Sequence, residues 1–389
     1  MNFELNEEQR ALRDSLERML AQRYGFEARR AFAASAAGHD AASWRQLAEL
    51  GITALAVPEA HGGFGGGAVA LLPVLQALGQ ALSLEPVLPC LLATAALRAG
   101  ADAALQAALL PGLATGETRI AWAHDEDAGR HAALWVQTQA RRTADGWCLD
   151  GAKANVLGAS LAGQFIVSAR LDGAPDEAAG CALFLVEAGA PGLALRPFRL
   201  VDDQCAGALQ LAGTPARPLA DPLDPQRGAA GLQAVQAVLA LGIAATCADM
   251  VGAAQSAYRQ ALDYLNTRQQ FGRAIGQNQA LRHRAAEMLV ALEMARSMAI
   301  AAAVAADRPQ SEESTLDLHR AKLSVGRHAR TVAHGAIQLH GGIGMTEECA
   351  VGHSLRRIHV MDQLFGDSEA HAARLATQLQ AQDAAPAAS

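Results

Sequence analysis

The sequence lacks paired cysteines and carries little charge. Its six cysteines lie far apart and form no Cys-x-x-Cys pair, which excludes both the common zinc-site spacing and a compact disulfide framework. Charged residues make up only 18% of the chain, the net charge is −7, and no dense run of Lys and Arg occurs. We therefore expect no nucleic-acid partner, because binding to a phosphate backbone needs a basic surface.

Signals for export, membrane insertion and metal binding are missing as well. Residues 1–5, MNFEL, are polar and acidic, whereas a signal peptide begins with basic residues and an apolar run. The most apolar stretch, residues 235–248, is shorter than the roughly 20 residues that span a bilayer, so we expect a buried core helix there. The twelve histidines show no His-Glu-x-x-His pattern. These absences predict a cytoplasmic protein with no membrane segment and no metal site.

Hydrophobic periodicity divides the chain into three regions. Residues 1–117 repeat with a helical period, and the run AHGGFGGG at residues 60–67 interrupts it as a loop. Residues 118–224 contain short period-two segments between turn formers, which is typical of an antiparallel β-barrel or sandwich. Residues 225–382 return to a helical period rich in alanine, which predicts a closely packed four-helix bundle. The expected fold is therefore a multidomain α+β protein, with a disordered tail at residues 383–389.

Strand positions in the middle region follow from the same pattern. Apolar and β-branched residues predict strands at residues 134–138, 164–168 and 181–186. In the last region the apolar repeat breaks at Arg308 and Pro309, which predicts the end of one long helix and the start of the next.

Two stretches in the last region suggest a nucleotide site. Residues 264–279 read YLNTRQQFGRAIGQNQ, and residues 338–347 read QLHGGIGMTE. Arg268 offers a planar, permanently charged fork that suits a pyrophosphate. Phe271 offers an apolar face, and Gly272 is expected to end the preceding helix.

The second stretch supplies the complementary features. Gly341 and Gly342 lack Cβ atoms, so a backbone can approach a bulky ligand there, and Gln338 adds hydrogen-bond donors. Taken singly, Arg268 could form a surface ion pair and the glycines could cap a helix. The occurrence of both stretches together favours the nucleotide site.

Both stretches, and the helical–β–helical order over nearly the full length, resemble the acyl-CoA dehydrogenase family. The resemblance implies FAD-dependent dehydrogenation of an acyl-CoA thioester, with FAD held partly by a neighbouring subunit of a homodimer, a tetramer or a hetero-oligomer. The FAD contacts that it implies are Arg268, Phe271, Gln279, Gln338, His340, Gly341, Gly342, Asn155 and Leu157.

A narrower resemblance concerns three short segments. Residues 8–15, 60–67 and 364–367 look like the small subunit of pimeloyl-CoA dehydrogenase-type enzymes, which work with a large subunit. This implies a large acyl-CoA dehydrogenase subunit as partner and a dicarboxyl-CoA, such as pimeloyl-CoA, as substrate.

The sequence departs from the family where the catalytic base is expected. Most members carry a Glu that removes the α-proton, but ungapped counting from Gln338 places Phe365 there, and a phenyl ring cannot accept a proton. Some relatives carry the Glu earlier, where residues 241 and 242 are also apolar. The nearest acids are Asp367, which more readily caps a helix, and Asp249, which more readily forms hydrogen bonds in a core.

The region that contacts the flavin ring departs too. The family's Thr-Glu-Pro-Gly-x-Gly-Ser-Asp-like loop corresponds to residues 123–130, AHDEDAGR. The Trp-Ile-Thr that packs on the ring becomes Asn155, Val156 and Leu157. The side chain of Leu157 cannot donate the hydrogen bond that a Thr hydroxyl would give to flavin N5.

Three functions remain open at this point. In the first, the chain is an acyl-CoA dehydrogenase that is active alone or with a large subunit that supplies the base. Alternatively, it is a non-catalytic subunit that donates Arg268, Phe271 and Gln338 to flavin bound mainly by another chain. A flavin-dependent oxygenase or nitroalkane-oxidase-like enzyme is the third, but it gains little because it also needs an acid or base in the pocket.

Overall fold

The order of elements matches the helical–β–helical prediction. The protein was studied as a computed structural model that describes residues 6–177, 179–224, 230–308 and 311–384. Six helices come first, seven strands follow, and five helices complete the described chain. The predicted boundaries at residues 117, 224 and 382 stay predictions. The predicted tail at residues 383–389 lies outside the described residues except for its first two positions, which belong to the last helix.

The N-terminal helices begin at capping residues. The first helix carries a capping box, in which the Asn6 side chain accepts from the Gln9 N–H and the Gln9 side chain accepts from the Asn6 N–H. Acidic residues Glu7 and Glu8 occupy its first turn, where the helix dipole favours negative charge. The six helices are α1 (Glu7–Arg23), α2 (Phe26–Ala34), α3 (Ala41–Glu49), α4 (Ala68–Ala81), α5 (Val87–Gly100) and α6 (Ala103–Ala114).

The strands of the middle region form a closed barrel. Strands β4, β2, β3, β7 and β5 pair in that order, and β5 pairs back with β4 to close the ring. β4 pairs in parallel with β1 and β2, and the other pairings are antiparallel. The strands are β1 (Ile120–Ala123), β2 (Gln139–Thr143), β3 (Gly146–Leu157), β4 (Gln164–Arg170), β5 (Cys181–Glu187), β6 (Leu193–Arg199) and β7 (Cys205–Pro218).

Alternate residues of these strands fill the barrel interior. Leu149, Phe165, Phe184 and Leu209 are fully buried and belong to one apolar cluster. This alternation is the one expected when only one face of each strand points inward. The strands predicted at residues 164–168 and 181–186 are confirmed as β4 and β5.

The strand predicted at residues 134–138 is wrong. The Thr138 carbonyl accepts from the Arg170 N–H of β4 at 2.8 Å, but the N–H groups of residues 136–138 bond to side chains and loops. The N–H groups of Gln137 and Thr138 donate to the Glu126 carboxylate at 2.6 and 3.0 Å, and the Val136 N–H donates to the Pro175 carbonyl at 2.9 Å. Pairing with β3 begins only at Gln139.

The C-terminal helices are long and alanine-rich. They are α7 (Ala230–Thr267), α8 (Gln279–Asp307), α9 (Glu312–His340), α10 (Ala350–Gln363) and α11 (Ser368–Ala384), and a short hairpin of β8 (Gln269–Gln270) and β9 (Arg273–Ala274) joins α7 to α8. Two of them, α7 and α8, are long and apolar enough to cross a membrane by length and composition alone. The apolar window of α7 is 83% buried within the protein, as in a core helix.

The prediction that Gly272 ends a helix is also wrong. Helix α7 already ends at Thr267, and Gly272 belongs to the hairpin turn. Phe271 and Gly272 have φ values of 52° and 76°, the left-handed values that a two-residue type I′ turn requires at both positions.

The chain divides into two compact units, each made of segments that are distant in the sequence. The bundle unit comprises Met1–Phe26, Ala68–Ser83 and Ile243–Ser389, and the barrel unit comprises Glu27–Gly67 and Leu84–Gly242. Helices α1 and α4 thus belong with the C-terminal helices. Glycines permit the close packing of α4 on α7, because a Cβ at Gly79 would overlap the backbone of Asp249.

Candidate functional site

The predicted nucleotide contacts of the bundle unit lie at one end of it, where α7 and α9 end and α8 begins. Tyr264 of α7 stacks on His340 of α9, with ring centroids 4.5 Å apart and planes at 23°. His340 is buried, and its Nδ1–H donates to the Ala336 carbonyl at 2.8 Å. This hydrogen bond fixes the ring on which Tyr264 stacks. The stack brings the stretch of Arg268 beside the stretch of Gln338.

Arg268 is exposed and its guanidinium has no partner. Within the part of the chain that the structure describes, it forms no hydrogen bond or ion pair, and neither does the amide of Gln338. The Arg268 backbone, in contrast, is fixed at both ends. Its N–H donates to the Tyr264 carbonyl at 2.8 Å, and its carbonyl accepts from the Ile275 N–H at 2.9 Å. A surface ion pair therefore does not explain Arg268, whereas an anionic ligand would.

The N-terminus of α8 adds donors at the same end. Asn278 precedes the helix but does not cap it with its side chain. Its Oδ1 accepts from Arg273 at 2.8 Å, and its Nδ2 donates to the Ile275 carbonyl at 3.0 Å. The first N–H groups of α8, beside the exposed Gln279, are thus left without a side-chain cap, and a helix N-terminus in this state attracts anions.

Gly341 and Gly342 differ in whether the backbone conformation requires a glycine. Gly341 caps the end of α9 at a φ of 67°, a value that favours glycine. Gly342 shows no such backbone requirement, and a Cβ at either position would meet nothing within 4 Å. The helix-cap explanation therefore covers Gly341 alone, and the space above both residues is open to a ligand or a second chain.

Apolar side chains near these polar groups are exposed. Phe271, at the tip of the hairpin, is 100% exposed, and Met345, just beyond the end of α9, is 79% exposed. A fully exposed aromatic side chain has no packing role within its own chain. Both side chains are therefore available for contact with a ligand or another subunit.

Phe365, where ungapped counting from Gln338 places the family's base, is held between α10 and α11 with a φ of 63°. Its carbonyl lies 3.2 Å from His371 Nε2, and His371 Nδ1 lies 2.8 Å from His319 Nδ1. Because a carbonyl can only accept, the His371 Nε2–H donates to it. The Nδ1 of the neutral His371 ring is then unprotonated and accepts from the His319 Nδ1–H. Burial lowers the pKa of His371 to about 2 and that of His319 to about 4, so both rings are neutral at physiological pH.

The two acidic candidates for the base already have structural partners. Asp249 forms a buried, two-pronged ion pair with Arg357, at 2.8 Å from Nε and 2.7 Å from Nη2. Asp367 accepts from the Ala370 N–H at 2.7 Å and so caps the start of α11. These are the structural roles that the sequence offered as alternatives, and neither arrangement supports a catalytic role.

A buried lysine in this unit was missed from the sequence. Lys322 is 0% exposed, and its ammonium donates to the Thr246 hydroxyl at 2.9 Å and to the Met361 carbonyl. Burial lowers the pKa of Lys322 to about 8. Its position on the apolar repeat of α9, four residues after Leu318 and three before Val325, was the available signal.

The barrel unit brings together the two stretches that the resemblance places at the flavin ring. The Ala154 N–H of β3 donates to the Asp125 carbonyl at 2.7 Å, and Lys153 Nζ donates to Glu126 at 2.7 Å. Burial alone would raise the pKa of Glu126, but Lys153 and the hydrogen bonds from Thr138 lower it overall. Residues 126–128 of the first stretch and residues 151–154, which precede Asn155, border a cleft of about 690 Å³.

Asn155 and Leu157, which the resemblance places at the flavin ring, have environments that offer few hydrogen bonds to a ring. Asn155 is exposed, with a φ of 51°, at an irregularity in the pairing of β3 with β7. Leu157 is buried and has no hydrogen-bonding atom in its side chain.

Metal chemistry has no counterpart in the described residues. They contain no group of three or more His, Cys, Asp or Glu side chains that could hold a metal ion.

Known proteins resemble this chain over nearly its full length. Residues 6–117 match the sequence model of the acyl-CoA dehydrogenase N-terminal domain, and residues 229–380 match that of the C-terminal domain. The acyl-CoA dehydrogenase IpdE2 of Mycobacterium tuberculosis is 31% identical over 92% of this chain and 93% of its own.

Two solved structures share the fold and the sequence to a similar degree. A variant of the Tcur3481–Tcur3483 steroid ACAD has a TM-score of 0.86 and 30% identity, over 97% of this chain and 99% of that one. The ChsE4–ChsE5 complex from Mycobacterium tuberculosis has a TM-score of 0.85 and 26% identity, over the full length of both chains.

Proposed function

The chain belongs to the acyl-CoA dehydrogenase family, and on that premise we propose that it is one subunit of a two-component, FAD-dependent acyl-CoA dehydrogenase. In this proposal the chain binds the nucleotide half of FAD, and a homologous partner supplies the catalytic base. One contrast supports it above all. Arg268 and Gln338 are exposed without partners, whereas Phe365 stands where the base is expected.

The chemistry of the family explains why the base decides the division of labour. Dehydrogenation needs a group that takes the α-proton, and FAD, when bound, supplies the hydride acceptor. The Arg268 guanidinium suits the diphosphate of FAD because its planar fork donates two parallel hydrogen bonds. The uncapped N-terminus of α8 adds backbone donors, and Gln338 adds an amide. These groups hold and orient a nucleotide, but none of them moves a proton from substrate.

A partner chain is supported by two further observations. The fully exposed Phe271 is a residue that a second subunit would cover. In addition, two structural neighbours carry two-component names, the Tcur3481–Tcur3483 steroid ACAD and the ChsE4–ChsE5 complex. We propose a hetero-oligomer for this reason, and of the functions left open by the sequence we favour the non-catalytic subunit that donates nucleotide contacts.

The test is to compare the isolated chain with the chain co-expressed with a homologue that carries the Glu. We expect the complex to retain FAD, visible as the flavin band, and to oxidise acyl-CoA. The isolated chain should show no turnover even with added FAD. Full turnover by an isolated homo-oligomer would contradict the proposal.

Variants of the complex sharpen this test. Arg268→Gln should lower the FAD content and the turnover together, because a charge-assisted pair of hydrogen bonds to the diphosphate is lost. Phe365→Leu should leave turnover unchanged, because no proton passes through this position. A large loss of turnover in Phe365→Leu, with FAD still bound, would assign Phe365 a direct role.

The acyl chain follows only from resemblance. We propose a dicarboxyl-CoA such as pimeloyl-CoA, and the name of the Tcur3481–Tcur3483 neighbour makes a steroid-derived thioester the competing class. Turnover of the assembled complex with each thioester decides between them. A higher kcat/KM for the steroid-derived substrate would replace our proposal.

A further inference from the structure

The short turn that follows α9 holds two apolar side chains away from the protein. Residues Gly341–Met345 form a single stretch of 3₁₀ helix between the end of α9 and the start of α10. Ile343 is 52% exposed and Met345 is 79% exposed, whereas Gly344 between them is buried. Among the methionines and cysteines that the structure describes, Met345 has the largest exposed fraction. Its side chain is therefore the sulfur-containing group that is most open to reagents in solution.

The backbone of this turn is firmly held. A Cβ at Gly344 would lie 2.8 Å from the Ile337 carbonyl oxygen, so the turn packs directly on the last turn of α9. The Ile343 carbonyl accepts from the Thr346 N–H at 3.1 Å and from the Thr346 hydroxyl at 2.9 Å, which closes the turn after Met345. Apolar side chains on a fixed backbone lose little conformational freedom when they are covered. The turn is thus pre-organised for contact with another subunit.

The chemistry of a thioether makes such a contact sensitive to peroxides. Hydrogen peroxide oxidises an accessible methionine to its sulfoxide. The sulfur lone pair bonds to one peroxide oxygen, the O–O bond breaks, and the departing hydroxide takes the proton of the transferred oxygen and becomes water. The sulfur loses the electron pair that the peroxide gains, so no other reactant is needed. The sulfoxide is polar, and its burial in an apolar interface without a hydrogen-bond partner is unfavourable.

The other methionines provide a scale of exposure against which Met345 can be judged. The chain has eight methionines. Met294 on α8 is 50% exposed and Met298 is half-buried. Four more are buried, namely Met19, Met250, Met288 and Met361. Because oxidation follows access to the sulfur, Met345 should react first and Met294 second.

We infer that Met345 is an oxidation site whose sulfoxide weakens the association of the chain with a partner subunit. The inference rests on the proposed function, in which a partner subunit covers the exposed apolar residues of the bundle unit. Oxidation acts on the free chain, because assembly covers the thioether. The peroxide concentration then controls how much of the chain is able to assemble.

Peptide mapping by mass spectrometry tests the site of oxidation. The isolated chain is treated briefly with hydrogen peroxide, and each methionine peptide is examined for the mass of one added oxygen. We expect the Met345 peptide to be oxidised before the Met294 peptide. In the complex with a homologue that carries the Glu, the Met345 peptide should be protected, while the Met294 peptide still reacts.

Binding measurements test the consequence of oxidation. The association of the chain with itself and with the homologue is measured before and after peroxide, and each protein is compared with its own untreated form. Oxidised wild type should bind about tenfold or more weakly, the expected effect of burying an unpaired polar group. Met345→Leu has no thioether at this position and should show no change on treatment. Met294→Leu is the matched control and should lose affinity as the wild type does.

Reversal separates methionine from cysteine chemistry. The described chain has six free cysteines, whose reversible oxidation a dithiol reductant undoes. Methionine sulfoxide reductase should restore the binding of the oxidised wild type, and dithiothreitol should not. Thermal unfolding of each variant verifies that it is folded.

Four results would overturn the inference. They are oxidation of Met294 ahead of Met345, unchanged binding by the oxidised wild type, an equal loss in Met345→Leu, and the absence of any association by the chain. A complex that oxidises acyl-CoA but ignores Met345 oxidation would refute this inference and leave the proposed function intact. A chain that only self-associates, without FAD or turnover, and loses that association through Met345 would do the reverse.

Discussion

The bundle unit uses its charged side chains in two opposite ways. At the end of the unit where Arg268 and Gln338 lie, the Arg268 guanidinium is exposed and has no partner among the described residues. Deeper in the unit, Arg357 and Asp249 are buried and satisfy each other through two hydrogen bonds. Charges left unpaired at the surface cost the fold little and remain available to a ligand, whereas the buried pair is committed to folding.

The largest expected effect comes from replacing a buried arginine, and it is compared with the replacement of an exposed one. Arg357→Met leaves the Asp249 carboxylate buried without its partner, which typically costs about 3–5 kcal/mol. Arg268→Met should change the free energy of unfolding by no more than about 0.5 kcal/mol, because the side chain is exposed and unpaired. Urea denaturation of the two variants measures both values. A similar loss in both would mean that Arg268 is structural and would remove the contrast.

The second effect compares the chain's only two lysines, which are both buried. Lys153 pairs with the Glu126 carboxylate in the barrel unit, whereas the two hydrogen bonds of Lys322 go to a hydroxyl and a carbonyl. The pKa of Lys322 falls from 10.5 to about 8 on folding. Between these values the unfolded state binds more protons, so stability should rise with pH, by about 3 kcal/mol in total.

Lys322→Met isolates this contribution, because Lys153 is present in both proteins. We expect the free energy of unfolding of the wild type to rise relative to that of the variant between pH 8 and 10.5. Denaturant titrations at several pH values measure the difference. Parallel pH profiles of the two proteins would show that folding leaves the pKa of Lys322 unchanged, and would contradict this account.

The smallest effect separates a helix cap from a catalytic base. Asp367→Ala removes the acceptor for the Ala370 N–H and should cost about 1 kcal/mol of stability. Asp367→Asn keeps a good cap and should cost much less. Turnover of the assembled complex should be the same in both variants. If both variants lost turnover while Asp367→Asn kept its stability, Asp367 would be the base and the proposed division of labour would be wrong.

Much of the fold was predictable because its signals are local. The change of period from helical to alternating and back again gave the order of regions, and the apolar alternation located β4 and β5. The strand predicted at residues 134–138 was wrong because the Glu126 side chain holds this extended backbone. No local sequence pattern reveals that contact. The prediction that Gly272 ends a helix was wrong because glycine suits a hairpin turn as well as a helix end.

The site was predictable only in part. Arg268 and Gln338 were predicted as nucleotide contacts because both lie in recognisable stretches, and the structure adds that neither side chain has a partner among the described residues. The pairing of Asp249 with Arg357 joins residues 108 positions apart, which spacing along a single sequence does not predict.

The most direct test of the central claim is hydrogen exchange at the α-carbon of an acyl-CoA in D₂O. This exchange requires the base but no hydride transfer, and mass spectrometry of the recovered thioester measures it. We predict no exchange above the buffer rate with the isolated, FAD-supplemented chain, and rapid exchange once a partner that carries the Glu is added. Rapid exchange by the isolated chain would show that it contains its own base and would contradict the account.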